Sequence, residues 1–218
     1  MKWSAKLGRF AGIDVYVHVT FLALLAYFGL IYWSQTGTIA GVATGLSLII
    51  LLFLCVILHE YGHALTARRY GIGTRHITLL PIGGIATLDR MPRDPRQEIV
   101  VALAGPAVNL AIAALLYLLI RTGPSAAALE GAMSWRTLLP TLLFANLVLA
   151  IFNLLPAFPM DGGRVLRAVL SFRMDRVRAT RTAAAVGQGL AILLGFLGLA
   201  GNPFLVLIAV FVWIGAAS

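Results

Sequence analysis

From Ile39 to Leu65 the chain is apolar almost without interruption, and a segment of that length and character has one stable home. A helix that crosses a bilayer needs about 20 predominantly apolar residues, within a range of roughly 17–25. In lipid every backbone N–H and C=O must be satisfied inside the segment, which leaves the helix as the solution. Five more runs share the character: Val19–Trp33, Ile99–Ile120, Leu138–Leu155, Ala183–Ala200 and Pro203–Ala217. The first and last are short by this measure. The last two are parted only by a Gly201-Asn202-Pro203 turn signal. Of the 218 residues 60% are hydrophobic and 11% charged, against about 45–50% and 25% in soluble domains. These figures exclude a soluble enzyme, a disordered tail and, with a single cysteine, a disulfide scaffold. The start lacks the apolar core and cleavage site of a signal peptide.

The 17 basic residues, part of a net charge of +9, set the expected orientation. Fifteen fall before the first run, between the second and third, and between the fourth and fifth; only Arg121 and Arg136 fall on the other side. That alternation follows the positive-inside rule for six spans with both termini cytoplasmic. It also argues against a nucleic-acid partner, since the charges track loop parity rather than one face. Asp14–Val19 alternates like a short strand, and Thr74–Asp89 reads as two β-like runs around Pro81-Ile82-Gly83-Gly84. The expected fold is an all-α polytopic membrane protein, with six transmembrane helices and a small cytoplasmic-side β-sheet or hairpin. With no repeat or linker, it forms one domain over residues 1–218.

Eight acids are present. Asp14, Asp89, Asp94, Glu98, Glu130 and Asp175 read as solvated charges in loops or at span entrances. Glu60 and Asp161 differ, because a carboxylate at membrane depth costs about 2.5–3.5 kcal/mol and marks function. Glu60 belongs to His59-Glu60-Tyr61-Gly62-His63, an H-E-x-x-H on a segment that must be helical. His59 and His63, one turn apart on one face, can chelate a single ion. Imidazole suits Zn²⁺, and two histidines leave room for a third ligand and a water. Glu60 projects beside the ion, where it can take a proton from that water. The third ligand is sought in Asn153-Leu154-Leu155-Pro156-Ala157-Phe158-Pro159-Met160-Asp161-Gly162-Gly163. Its prolines break the fourth span, and its glycines permit close backbone approach. Alone, Asp161 reads as a helix N-cap. At the same depth and on the same side as the histidine pair, it reads as a ligand.

The two motifs together resemble the site-2 protease family of zinc intramembrane metalloproteases. H-E-x-x-H at 59–63 and N-x-x-P-x-x-P-x-D-G at 153–162 match its motifs, and A-G-P-A-V-N at 104–109 resembles that of its third span. The branch most resembled carries CBS domains after six spans; here the chain stops at Ser218, so no CBS domain is expected within it. The resemblance implies that His59, His63 and Asp161 ligate one Zn²⁺ and that Glu60 is the general base. It also implies that Asn153 positions substrate or polarises the oxyanion. The implied activity is hydrolysis of transmembrane protein substrates, within a lipid bilayer, near their cytoplasmic ends; a homo-oligomer is allowed. The competing function is a metal-ion transporter or metal-sensing membrane protein using the same ligands. Gly84, Ile85, Ala86 and Thr87 are candidates for a strand edge that pairs with unwound substrate, against the alternative of a plain connecting hairpin. Cys55 reads as a small buried thiol, His18 and His76 as solvated or capping, and Asn109 and Asn146 as bonds between helices.

Overall fold

The computed structural model describes residues 3–81, 83–122 and 135–217. Ile82, Ser125 and Glu130 lie outside them. The elements run β1 (Ser4–Phe10), β2 (Ile13–His18), α1 (Val19–Thr36), α2 (Ile39–Arg69), β3 (Thr74–Leu80), β4 (Gly83–Leu88), α3 (Pro95–Thr122), α4 (Trp135–Asn153), α5 (Asp161–Leu170), α6 (Arg176–Leu199) and α7 (Pro203–Ala217).

All six apolar runs are helical. Of these helices, α1, α2, α3 and α6 are long and apolar enough to cross a membrane, while α4 and α7 are shorter. Helix α6 starts at Arg176, well before the apolar run, because Asp175 caps it by accepting from Arg178 N at 3.0 Å. The helices pack through small side chains: Ala64 and Ala67 on α2, Ala102 and Gly105 on α3, and Ala183 and Ala191 on α6 are buried. Large apolar side chains such as Phe196, Phe204 and Ile214 point outward. That inversion suits a lipid solvent, where close backbone approach rather than burial of large residues holds helices together.

The strands form one sheet in the order β1-β2-β3-β4. β2 and β3 are parallel, joined by the α1–α2 crossover, and the outer pairs are antiparallel. The expected strand at 14–19 and the hairpin at 74–89 are therefore present and share a sheet. β1 was not expected: its alternation is weak, and its signal is the tight turn at Ala11 and Gly12, both at positive φ (49° and 82°). The inner face of the sheet rests on α2, with Ile13 and Ile77 packed on Ala64, and Val17 and Leu79 on Phe53. β4 is thereby a sheet edge lying along the helix that carries H-E-x-x-H.

One acid departs from expectation. Glu98 is buried at the start of α3, 4% exposed. Arg167 on α5 donates to Glu98 Oε1 through Nε at 2.9 Å and also through Nη2, and Arg176 Nη2 lies 3.4 Å from Oε2. Arg167 also covers the Phe158 ring, 5.4 Å from its centroid. A buried carboxylate requires such partners; sequence position alone, directly before the apolar run that starts at Ile99, does not disclose them. Asp14, Asp89, Asp94 and Asp175 are paired or capping near the surface, as with Asp89 and Arg75 at 2.9 Å.

Candidate metal centre

His59 and His63 are both buried on one face of α2. Asp161 reaches them from the far side of a break. Helix α4 stops at Asn153, the segment with Pro156 and Pro159 turns, and α5 restarts at Asp161. Gly162 and Gly163 make the turn possible. A Cβ on Gly163 would lie 2.6 Å from the Ala157 carbonyl carbon, and one on Gly162 would fall on the carbonyl oxygens of Leu154 and Leu155. Met160, not Asp161, occupies the N-cap position of α5. The capping reading of Asp161 is thus set aside: its carboxylate meets the two imidazoles.

Asp161 Oδ2 lies 3.2 Å from His59 Nε2 and 3.0 Å from His63 Nε2, and the two Nε2 atoms are 3.0 Å apart. The tetrahedral edge for Zn–N and Zn–O bonds of about 2.0–2.1 Å is roughly 3.3 Å, so the triangle has close to the size that one such ion needs. The chemistry of the donor set agrees. His63 Nδ1 lies 2.7 Å from the Val101 carbonyl, which can only accept. Nδ1 therefore carries a proton, and in the neutral ring the lone pair of Nε2 faces the triangle. Electron-rich atoms crowded this closely are stabilised by a cation between them. Among the described residues this is the one group of three or more such side chains within ligating reach.

Helix α3 forms the back wall. A Cβ on Gly105 would lie 2.6 Å from His59 Nε2 and nearer still to His63 Nε2, so the helix approaches where only glycine fits. His59 Nδ1 meets Asn109 Oδ1, and Asn109 Nδ2 donates to Asn146 Oδ1 at 2.9 Å. The expected interhelical role of both asparagines is met, with a contact to His59 besides. Gly105, Val101 and Asn109 share one face of α3 at intervals of four. Of the three, Gly105 and Asn109 lie inside A-G-P-A-V-N, a spacing that names no role by itself.

Glu60 is half-buried beside the triangle, and its Oε2 accepts from the backbone of Ala86 at 3.2 Å. β4 lies so close that a Cβ on Gly84 would be 2.8 Å from Glu60 Cγ. A cavity of about 540 Å³ opens here, lined by His59, Glu60, His63, Asn153, Asp161 and Arg164, with residues 83–86 of β4 on one wall. Asn153 Nδ2 donates to the Leu149 carbonyl at 3.0 Å, which uses one of its two N–H groups. Gly84, Ile85 and Ala86 are brought to the site; Thr87 is not, and its hydroxyl meets His76 Nε2 at 3.3 Å. Cys55 is buried 3.4 Å from Asn146 Nδ2, and its thiol does not line the cavity. His18 caps α1, and His76 packs edge-on against Tyr16. Arg164, one turn after Asp161, is a cavity residue that its loop-like charge did not reveal.

Comparison with known proteins bears on this geometry. The chain is 38% identical to zinc metalloprotease MJ0392 of Methanocaldococcus jannaschii over 99% of its own length, and spans 60% of that longer protein. It superposes on the structure of the site-2 protease from Methanocaldococcus jannaschii with a TM-score of 0.70 and 38% identity, covering 99% of this chain and 94% of that one. The model of peptidase family M50 matches residues 47–130 and 120–196, and these stretches hold both histidines, Glu60 and Asp161. On these matches the chain, an integral membrane protein by its apolar helices, belongs to peptidase family M50.

Proposed function

We propose that this protein is a zinc-dependent intramembrane protease that hydrolyses peptide bonds in or near transmembrane helices of membrane-bound substrates. The observation that carries the reading is the His59–His63–Asp161 triangle with Glu60 beside it, on an apolar helix and open to a cavity. His59, His63 and Asp161 hold the ion. Zinc at such a site supplies a Lewis acid that makes water nucleophilic near neutral pH. Glu60 takes the proton from the attacking water and returns it to the leaving amine. The N–H group of Asn153 not used by Leu149 positions the substrate carbonyl and stabilises its developing charge.

The substrate must unwind before its carbonyl can be reached, and its freed backbone groups need partners. In this reading the outer edge of β4 supplies them by strand addition at residues 84–86. The Ala86 N–H points to Glu60, away from β3, so alternation turns that of Ile85 toward β3. Proline at Ala86 therefore removes an edge donor, whereas proline at Ile85 would disturb the ladder itself. Six helices cross the bilayer, with both termini, the sheet and the mouth of the site on the cytoplasmic side. The basic-residue asymmetry supports this orientation. His59 follows Ile39 by about 30 Å of helix, which puts it toward the far face of a hydrocarbon layer of about 30 Å. The matched relative is longer than the chain, in keeping with a branch whose core precedes further domains.

A metal carrier on the same ligands is not favoured, since the family is a peptidase family and a base stands beside the ligands. The test is metal analysis of purified protein with cleavage of a panel of single-span proteins in detergent. About one zinc per chain is expected, with cleavage stopped by a chelator and restored by zinc. Cleavage undiminished in metal-free protein, or none by the zinc-loaded protein across the panel, overturns the reading.

A further inference from the structure

We propose that Asn109 and Asn146 are positioning residues for the metal site: a chain of amides, anchored on the Leu142 carbonyl, that dictates which nitrogen of His59 faces Asp161. The inference rests on the metal-site reading above. Its logic begins at the far end, on α4. A backbone carbonyl can only accept, and Asn146 Nδ2 lies 2.8 Å from Leu142 O. The amide of Asn146 is thereby oriented, NH₂ toward its own helix and Oδ1 toward α3. Oδ1 accepts from Asn109 Nδ2 at 2.9 Å, which orients the second amide in turn. Asn109 Oδ1 is left to face His59 Nδ1.

An amide oxygen only accepts, so the neutral His59 ring carries its proton on Nδ1 and its lone pair on Nε2. Nε2 is the atom directed at Asp161 and at His63 Nε2. His63 reaches the same state in one step through Val101; His59 reaches it in three. Both asparagines are 0% exposed, and a buried amide needs its partners from the protein around it. If the Asn109 amide were reversed, its NH₂ would demand a lone pair from Nδ1. The imidazole proton would move to Nε2, into the triangle, and His59 could no longer ligate. Asn146 prevents this through its hydrogen bond to Asn109.

The chain predicts a specific pattern of zinc affinities, measured by competition with a chromophoric chelator on purified protein in detergent. Asn109→Leu, which removes the acceptor, should weaken zinc binding by about 10–100-fold. Asn109→Asp keeps an acceptor for Nδ1–H, while its second oxygen requires the Asn146 amide to turn and donate, giving up Leu142 O, so zinc binding should weaken clearly less than in Asn109→Leu. Asn146→Leu should weaken binding like Asn109→Leu, because the Asn109 amide is freed to reverse. The double variant Asn109→Asp/Asn146→Leu should recover the affinity, since a carboxylate has no wrong orientation. The visible bands of the cobalt-loaded protein should change with Asn146→Leu and return in the double variant, a response that loss of packing alone would not give. Parent-like zinc affinity in Asn109→Leu overturns the proposal. So does a loss in Asn146→Leu that Asn109→Asp fails to restore. If Asn146→Leu does not fold, the contrast between leucine and aspartate at 109 decides: equal losses overturn the proposal. A parent protein that binds no zinc fails at the metal site itself, and that outcome is distinct from the others.

Discussion

Gly105 shows how sharply single atoms bound this site. Alanine is the better helix former by about 1 kcal/mol, so Gly105→Ala should not harm α3 by propensity. Its Cβ, however, would overlap Nε2 of both His59 and His63. The expected outcome is loss of zinc by more than about tenfold with the helical circular dichroism spectrum retained. Full zinc content would contradict the placement of α3 behind the histidines. Gly84 plays the matching part for the base. In Gly84→Ala the new methyl meets Glu60 Cγ, so cleavage should fall while zinc stays bound. At this scale the sequence was most informative where chemistry depends on residue type. His59, Glu60, His63 and Asp161 could be singled out because imidazole and carboxylate have few reasons to lie in an apolar segment. Gly105 and the Val101 carbonyl could not, because one acts by the absence of a side chain and the other by its backbone.

Among the elements, β4 and α5 hold parts of the site that helix α2 does not. Ala86→Pro removes the N–H that bonds Glu60 and, in the reading given, pairs with substrate. Cleavage should drop steeply with zinc content unchanged; a normal rate with zinc bound would send the search for the substrate groove to the spaces between helices. Helix α5 is fastened by Arg167 to buried Glu98. Arg167→Ala leaves that carboxylate with Arg176 alone, and removing one partner of a buried pair costs about 3 kcal/mol. A marked fall in the apparent melting temperature is therefore expected, and an unchanged one would mean that the pair does not secure α5. Period and β-branching disclosed β2, β3 and β4, and length disclosed the apolar helices. β1 escaped because its register depends on a two-residue turn, and the burial of Glu98 escaped because it depends on an arginine 69 residues away.

For the whole molecule, the charge asymmetry predicts a topology. Cysteines introduced at Gly73 and Ser125 into a Cys55→Ser background should label from opposite membrane faces, and labelling from one face would contradict six spans with cytoplasmic termini. That prediction draws on loop charge, which the sequence carries openly, whereas the depth of the site depends on how α2, α3 and α5 meet and emerges only in three dimensions. The central claim is that a metal site and a separate base, assembled from α2 and α5, together make the chain a protease. It is tested most directly by reconstituting the protein and Glu60→Gln with a cleavable single-span protein in vesicles, reading zinc per chain and cleavage rate on the same samples. The account predicts about one zinc in both, with cleavage reduced by about 10²–10⁴-fold in Glu60→Gln. Cleavage by Glu60→Gln at the parent rate would contradict it.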